Sequence, residues 1–340
     1  MRKILVTGGT GYIGSHTAIE LINQGYQPLL IDNLSNSKMD RLDQIEKITG
    51  VRPEFEKIEM CDGEQMKELF SRHQDIEAVI HFAAVLQVGE SVEKPLFYYR
   101  NNLVSTLNLL DSMNGSGIRP IVFSSSCTVY GNPDTLPVTE NAPVKEAVSP
   151  YGNTKKMCED IIRDSTISTT IQAISLRYFN PIGNHLSALI GEEPHGEPTH
   201  LVPYLTQTAR GIRPHLNIFG NDYNTPDGTC LRDYIHVVDL AKAHIAAIER
   251  LLDNKQDKNY EVFNIGTGIG YSVLEMVQAF EKATGMPVPF KFAPRRSGDV
   301  EAVYADTHAA EKSLGWKAEL GLEDMFRSAW EWEQTLEHHS

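Results

Sequence analysis

Residues 7–14 read TGGTGYIG, and this glycine-rich stretch is the strongest indication of the fold. It follows an apolar segment and opens a helical pattern. Two registers fit the dinucleotide fingerprint, Gly9-x-Gly11-x-x-Gly14 and Gly8-x-x-Gly11-x-x-Gly14. Glycines there permit a tight turn and let the backbone approach a diphosphate at the helix N-terminus. The glycines alone would also suit a plain turn, but their place between a strand and a helix favours a nucleotide site.

The next apolar segment, QPLLI, stops at Asp32. A carboxylate at this position accepts hydrogen bonds from a ribose hydroxyl and would repel a 2′-phosphate. The sequence therefore favours NAD over NADP as the cofactor. A helix cap or turn former is the alternative interpretation of Asp32.

The rest of the chain alternates between apolar strands and helical patterns. We expect strands at residues 2–7, 27–31, 55–59, 78–82, 120–124 and 171–177, with helices at 12–24, 63–72, 95–113 and 151–166. This order indicates an α/β protein with a Rossmann-type doubly wound parallel sheet. Residues 181–200 are rich in Gly, Pro and His, which predicts loops, and shorter elements follow: helices at 202–210, 238–252, 272–284 and 322–334, and a strand around Asn217.

At 340 residues the chain exceeds one ordinary hydrophobic core, so two lobes are expected. We predict a nucleotide domain over residues 1–180, to which later segments return, and a smaller C-terminal α/β substrate lobe over 181–340. The formal charge of −14 argues against nucleic-acid binding, although one arginine can still hold a diphosphate.

Four dispersed cysteines, without a CxxC pair, predict reduced thiols. The first residues are too short for a signal sequence, and the longest apolar stretch, residues 79–86, is too short to span a membrane. We therefore expect a cytoplasmic protein without a membrane partner. We assign no metal, and His338 and His339 receive no metal-binding role.

The chemistry-bearing residues lie in SSSCTVYG and SPYGNTKK. Tyr151 and Lys155 are four residues apart at the start of a helix, which places both on one face. A lysine charge, together with that of an oxidised nicotinamide, is expected to lower the tyrosine pKa towards working pH. Ser126 follows the fifth strand at the edge where such sheets bind ligands, although a hydroxyl there also suits a turn. Together these residues predict redox chemistry on an alcohol.

Several blocks resemble one family in order along the chain, from residue 2 to about residue 333. They are TGGTGYIGSH, DNLSNS, HFAAVLQVGES, SSSCTVYG, SPYGNTK, LRYFNP, IFGNDY, RDYIHVVDL and FAPRRSGD. These blocks are similar to those of UDP-galactose 4-epimerases, which are extended short-chain dehydrogenases. The resemblance implies a tightly bound NAD that is regenerated in each cycle, a UDP-sugar substrate and a homodimer, with helices 95–113 and 151–166 as candidate interface elements.

The resemblance also implies roles for individual residues. Tyr151 would exchange the proton of the sugar 4-hydroxyl, Ser126 would bind the 4-oxygen, and Lys155 would bind the nicotinamide ribose. The implied cofactor contacts are Gly8, Gly11, Tyr12, Ile13, Gly14, Asp32, Asn33, Leu34, Ser35, Asn36, Ser37, Glu59, Met60, Phe82, Ala83, Ala84, Leu86, Asn101, Ser124, Tyr151, Lys155, Tyr178 and Phe179. The implied substrate contacts are Ser126, Tyr151, Asn180, His200, Leu201, Asn217, Ile218, Phe219, Arg232, Arg296, Asp299 and Val303.

Four positions depart from the family pattern. Leu86 replaces a lysine near the nicotinamide ribose, Glu59 replaces an aspartate on the adenine side, and His200 replaces an asparagine of the substrate loop. Val303 stands where epimerases restricted to UDP-glucose and UDP-galactose carry tyrosine, so we expect room for an N-acetyl group. A neutral packing change, with Tyr304 refilling the space, is the alternative.

Related proteins provide four alternative functions. A nucleotide-sugar 4,6-dehydratase would need an Asp-Glu pair where Cys127 and Thr128 stand, and a UDP-glucuronate decarboxylase would need a glutamate at the second of these positions. Both are disfavoured. A UDP-glucuronate 4-epimerase shares the serine run and the Tyr-Lys pair and stays open. A non-catalytic NAD-sensing scaffold would usually lack the tyrosine or the lysine.

Overall fold

The computed structural model describes residues 1–194, 196–296 and 299–336. The strands are β1 Lys3–Thr7, β2 Gln27–Asp32, β3 Glu54–Lys57, β4 Ile76–His81, β5 Pro120–Ser124, β6 Gln172–Tyr178, β7 Asn180–Ile182, β8 Leu216–Phe219, β9 Leu231–His236, β10 Tyr260–Ile265, β11 Gly270–Ser272, β12 Phe290–Ala293 and β13 Ala302–Val303. The α-helices are α1 Tyr12–Asn23, α2 Asp40–Thr49, α3 Gly63–Arg72, α4 Val88–Glu93, α5 Pro95–Ser116, α6 Pro150–Ser168, α7 Leu201–Ala209, α8 Val237–Leu252, α9 Val273–Thr284, α10 His308–Leu314 and α11 Leu322–Thr335. A 3₁₀ helix spans Cys127–Tyr130.

The larger sheet has seven parallel strands in the order β10-β6-β5-β4-β1-β2-β3. Strand β1 is buried along its whole length, as a central strand covered on both faces must be. The chain moves from β1 to β3 in one direction and then crosses to β4 on the other side of β1. The strand order therefore reverses between β1 and β4, and a crevice at their carboxyl ends is the expected ligand site. This confirms the predicted Rossmann-type doubly wound sheet.

Helices cover both faces of this sheet. One hydrophobic cluster joins α1 and α8 to the sheet through residues such as Ile19 and Ile248. A second cluster joins α3, α5 and α6 to the opposite face through residues such as Leu69 and Ile162. Helix α6, which carries the Tyr-Lys pair, packs along α5 and is thereby held rigidly against the sheet.

The smaller lobe is built from short strands and helices. Strands β11, β9 and β13 form one sheet, β7 also pairs with β9, and β12 pairs with β8. Helices α7, α9 and α11 bury apolar side chains, among them Leu205, Phe280 and Phe326, in a third cluster. Because β7 follows β6 after one residue, this lobe begins at the carboxyl edge of the larger sheet, where the crevice opens.

The structure also contains elements that the sequence patterns did not reveal. Helices α2, α4 and α10, strand β7 and strands β9 to β13 were not predicted; β7 falls partly in residues 181–200, where loops were expected, and β10 lies beside β6 in the larger sheet. The predicted strand at residues 55–59 begins one residue earlier and ends at Lys57. Among the described residues, no helix is long and apolar enough to cross a membrane. His338 and His339 lie outside the described residues.

Candidate functional site

The glycine loop leaves no room for side chains at Gly8, Gly9 and Gly14. Gly8 has φ +64°, and a Cβ there would lie 2.9 Å from the backbone nitrogen of Ala83. A Cβ on Gly14 would overlap the carbonyl oxygen of Gly8. Gly11 precedes the first turn of α1, and in the part of the chain that the structure describes no side chain caps this helix. The first N–H groups of α1, at Tyr12 and Ile13, therefore face the loop, an arrangement suited to a diphosphate.

Asp32 organises the turn after β2. Its carboxylate accepts hydrogen bonds from the Leu34 nitrogen at 2.9 Å, the Ser37 hydroxyl at 3.0 Å and the Thr10 nitrogen at 3.4 Å. Leu34 has φ +64°, an unfavourable conformation for a branched side chain that this network maintains. The hydrogen bond from Thr10 thus holds Asp32 next to the glycine loop. A ribose attached to the bound diphosphate would lie beside this carboxylate.

Other predicted cofactor residues surround this corner. The Asn33 side chain donates to Glu59 at 2.9 Å and accepts from the Ser35 nitrogen at 3.0 Å, and Met60 is buried. Asn36 belongs to the same turn. Phe82, Ala83 and Ala84 follow β4. Leu86, farther along this segment, is 41% exposed, whereas Asn101 is held on α5 by a hydrogen bond to Asn102.

The catalytic candidates meet at the carboxyl edge of β5. Ser149 caps α6 by accepting from the Gly152 nitrogen at 3.1 Å, and Tyr151 stands in the first turn. One turn later, Lys155 donates from Nζ to the Ser124 carbonyl oxygen at 2.7 Å and lies 4.9 Å from the ring centroid of Phe123. Tyr151, Lys155 and Ser126 are all nearly buried. The predicted triad of side chains is therefore brought to one place.

Ser126 itself is held by Thr128. The Ser126 Oγ accepts from the Thr128 nitrogen at 3.2 Å and from the Thr128 hydroxyl at 2.9 Å. Thr128 was not predicted as a site residue. A hydroxyl residue two positions after Ser126, just beyond a strand, was the available signal.

The protonation of this cluster is dominated by burial. Burial raises the pKa of Tyr151 well above 10; nearby Tyr178 adds to this, and a hydrogen bond from Ser126 opposes it. Burial also lowers the pKa of Lys155 from 10.5 to about 8. In the chain alone, desolvation of the phenolate determines the direction of the Tyr151 pKa, and the predicted lowering by Lys155 together with an oxidised nicotinamide stays a prediction.

Tyr178 contacts Ser124, the residue to which Lys155 donates. The Tyr178 hydroxyl is 2.9 Å from the Ser124 hydroxyl, and burial raises the pKa of Tyr178 to about 12. Phe179 is buried and packs in a small apolar cluster with Val303, Val129 and Tyr130. Asn180 is the first residue of β7 and directly follows Phe179.

The predicted diphosphate and base contacts form a second group in the smaller lobe. Arg296 donates to Asp299 at 3.0 and 3.2 Å, and its guanidinium lies 4.8 Å from the ring centroid of Phe219. Arg232 lies 4.0 Å from the same carboxylate. Two cations and an aromatic ring are therefore assembled around one acid, although they are separated by up to 80 positions along the chain.

Strand β8 divides its residues between two faces. Leu216 and Ile218 are buried in the core of the smaller lobe, whereas Asn217 and Phe219 are half-buried on the other face. The predicted contact at Ile218 is thus restricted to its backbone, because its side chain points away from Phe219.

His200 immediately precedes α7 and pairs with Glu192, whose Oε1 lies 2.7 Å from the ring nitrogen Nδ1. Burial alone would lower the pKa of His200, but the charge and hydrogen bond of Glu192 raise the pKa above 6.5. Leu201 is the first residue of α7. His200 is therefore cationic more often than a free histidine would be.

Tyr304 does not occupy the space beside Val303. Val303 is buried against the segment that follows Ser126, whereas the Tyr304 ring lies over Gly270 on the opposite side of the strand. The alternative in which Tyr304 refills this space is wrong. In the residues that the structure describes, no group of three His, Cys, Asp or Glu side chains is placed to hold a metal ion.

Comparison with known proteins identifies the family. The family model described as GDP-mannose 4,6 dehydratase matches residues 5–329. The UDP-glucose 4-epimerase of Mus musculus is 50% identical over 341 residues, covering 98% of this chain and 97% of that protein. The enzyme of the same name from Bacillus subtilis is 50% identical, with 98% and 97% covered. The chain belongs to the UDP-glucose 4-epimerase family.

Solved structures of epimerase family members agree. UDP-glucose-4-epimerase from Stenotrophomonas maltophila, with bound NAD and formylated UDP-arabinopyranose, superimposes with a TM-score of 0.95 at 46% identity, covering 98% of both chains. The UDP-Glc/GlcNAc 4-epimerase of Campylobacter jejuni has a TM-score of 0.84 at 36% identity, with 99% of this chain and 100% of that chain covered. The resemblance read from the sequence motifs is confirmed.

Proposed function

We propose that the chain is an NAD-dependent 4-epimerase of UDP-hexoses that interconverts UDP-glucose and UDP-galactose. The observation that carries this proposal is the meeting of Tyr151, Lys155 and Ser126 at the carboxyl edge of the sheet, beside the glycine loop. Membership of the epimerase family supports the same reaction.

The nucleotide corner suits NAD. Gly8 and Gly14 leave space that any Cβ would fill, the first turn of α1 offers N–H groups for the diphosphate, and Asp32 stands beside the loop to accept ribose hydroxyls. Bound NAD would accept a hydride from C4 of the sugar and later return it. Lys155 holds a charge one turn from Tyr151, where it would bind the nicotinamide ribose.

Proton transfer falls to Tyr151. Its phenolate oxygen removes the proton of the sugar 4-hydroxyl, while the Ser126 hydroxyl donates a hydrogen bond to the same oxygen as it becomes a ketone. After the 4-keto sugar has turned over, the hydride would return to the opposite face of C4, and Tyr151 returns the proton to the 4-oxygen. The buried phenol of the chain alone is a weak acid, so the positive charge of an oxidised nicotinamide is needed to favour its phenolate.

The smaller lobe would hold the UDP part. Arg232 and Arg296 supply two cations in a chain of net charge −14, and a diphosphate could replace Asp299 as their partner. Phe219 offers a flat ring for the uracil. Anchoring the nucleotide here while the hexose stays free to turn is what a 4-epimerase requires.

Elimination of water is disfavoured despite the dehydratase description of the matching family model. Cys127 and Thr128 stand where a dehydratase needs an acid and a base. Burial raises the pKa of Cys127 to about 12, so it stays a neutral thiol, and Thr128 is committed to Ser126. Neither group can move a proton at neutral pH.

The test is conversion of UDP-galactose by the purified chain, followed by NMR of the anomeric proton, first without and then with added NAD. We expect UDP-glucose to form in both cases and Tyr151→Phe to abolish it. An inactive wild type with NAD present, or an unimpaired Tyr151→Phe variant, would exclude this function. Conversion of UDP-glucuronate alone would instead favour a uronate epimerase.

A wider substrate range, covering UDP-GlcNAc and UDP-GalNAc, is a second part of the proposal. Val303 occupies less volume than a tyrosine beside the segment that follows Ser126, and Tyr304 points to the other side. The relative from Campylobacter jejuni is described as a UDP-Glc/GlcNAc epimerase, which supports the idea.

Val303→Tyr tests this range, with Val303→Leu as the control for a changed but smaller side chain. We expect the wild type and the leucine variant to convert both UDP-galactose and UDP-GalNAc, and the tyrosine variant to retain only UDP-galactose. A wild type that leaves UDP-GalNAc unchanged refutes the wider range and leaves the 4-epimerase proposal intact.

Homodimerisation is the third part. Helix α5 exposes Leu96, Phe97 and Leu107, and α6 exposes Met157, an apolar surface that a second copy would cover. Sedimentation of the wild type should give a dimer, and Leu107→Glu should weaken it. The control is Ile212→Glu, which changes an exposed apolar residue of the other lobe and should leave the dimer unchanged. A cytoplasmic location stays a prediction.

A further inference from the structure

We propose that Thr128 is a positioning residue: its nitrogen and its hydroxyl both donate to Ser126 Oγ, and this aims the single Ser126 proton at the sugar 4-oxygen and at Tyr151. The inference rests on the proposed 4-epimerase function and concerns how that site controls one proton. The distances are 3.2 Å from the Thr128 nitrogen and 2.9 Å from its hydroxyl.

The Ser126 hydroxyl has a fixed number of hydrogen-bonding positions. Serine oxygen has two lone pairs and one proton. With both lone pairs occupied by Thr128, Ser126 is left as a donor only. It can stabilise a ketone oxygen or a phenolate, but it cannot accept the proton of the sugar 4-hydroxyl. Of Ser126 and Tyr151, only Tyr151 can then accept the proton of the sugar 4-hydroxyl.

The surroundings of Ser126 agree with a donor role. A hydrogen bond from Ser126 to Tyr151 stabilises the phenolate and opposes the effect of burial on the Tyr151 pKa. Ser126 is nearly buried, so bulk water does not compete for its proton. Thr128 also lies against Gly152 in the first turn of α6, which keeps its hydroxyl fixed relative to the helix that carries Tyr151.

The experiment measures kcat and KM for UDP-galactose in Thr128→Val, which keeps the branched shape, and in Thr128→Ser, which keeps the hydroxyl. We expect kcat to fall roughly ten-fold in the valine variant with KM changed less than about two-fold, because one oriented hydrogen bond is lost at the reacting oxygen. The serine variant should recover most of the rate. Thr128→Ala serves as a second hydroxyl-free variant if valine prevents folding.

Two further readouts separate positioning from a structural role. In a Ser126→Ala background, adding Thr128→Val should cause no further loss, since Thr128 acts only through Ser126. The acid limb of the kcat profile should move to higher pH in Thr128→Val, because Ser126, no longer held by the Thr128 hydroxyl, donates less consistently to the phenolate of Tyr151.

The opposite results would overturn the inference: an unchanged kcat in both hydroxyl-free variants, a serine variant as slow as valine, or a full additional loss in the Ser126→Ala background. An acid limb of the kcat profile that stays at the same pH in Thr128→Val would also overturn the inference. A wild type without turnover would refute the proposed function and this inference together, whereas normal wild-type turnover with an unaffected Thr128→Val variant would refute the inference alone.

Discussion

The ion pair between Arg177 on β6 and Glu159 on α6 makes a sharp prediction. Arg177 donates to the carboxylate through Nε at 2.9 Å and through an Nη at 2.6 Å, and both side chains are less than 10% exposed. The Ser125 hydroxyl also donates to Glu159, and the guanidinium lies 4.8 Å from the Tyr130 ring centroid. The pair therefore fixes α6, the helix that carries Tyr151, to the sheet.

Glu159→Gln keeps the shape of the side chain but leaves the arginine charge buried and unpaired. Removing one partner of a buried pair costs about 3–5 kcal/mol of unfolding free energy, whereas removing both charges together costs much less. We therefore expect Glu159→Gln to lower stability by an amount in that range. Glu159→Leu combined with Arg177→Met should be less destabilised than the single variant.

Urea unfolding, followed by tryptophan fluorescence at one fixed NAD concentration, measures the difference. The matched control is Asp43→Asn, which breaks an exposed, solvent-screened pair with Arg52 and should change stability far less. The reasoning would be refuted if Glu159→Gln and Asp43→Asn had equal effects, or if the double variant were the least stable.

Three other outcomes are expected. Gly14→Ala should weaken NAD binding, because the new Cβ would overlap a backbone oxygen. The measurement is release of the nucleotide on dilution, and the control is Gly115→Ala, where nothing lies within 4 Å of the new Cβ and release should be unchanged. Equal release from the two variants would contradict this prediction. Turnover should decline as pH rises through about 8, where Lys155 loses its charge, and a flat profile from pH 7 to 9.5 would argue against that pKa. Thermal stability should fall as pH drops from about 6.5 towards 4, because histidines bind protons in the unfolded chain but stay neutral when buried in the folded protein. An unchanged thermal unfolding midpoint over this pH range would contradict the prediction. Burial lowers the pKa of these side chains to about 3 or 4: His16, His81, His236 and His244.

Local patterns predicted the nucleotide half of the fold well. These predictions rested on short segments, in which the structure depends mainly on residues close in the sequence. The segments are the glycine loop, the strand that ends at Asp32, and the helix turn that carries Tyr151 and Lys155. Strand β5 and helix α3 have the predicted bounds for the same reason.

Long-range features were harder to predict. Strand β10 contains Asn264, a polar residue that is buried because it bonds to Tyr130 and to the Val138 carbonyl oxygen, and such partners are invisible in a single segment. The group formed by Phe219, Arg296 and Asp299 depends on the parallel pairing of β8 with β12. Only the resemblance to a known family indicated those residues from the sequence.

The position of β10 has a consequence for biosynthesis. Its residues, 260–265, pair with β6, whose side chains are buried, so the large sheet stays open on that side until the ribosome has made most of the chain. A nascent chain ending near residue 180 would expose the backbone edge of β6 to other chains. The large sheet therefore cannot be completed until β10 has been synthesised, and a chain that ends before β10 should aggregate more readily than the full chain.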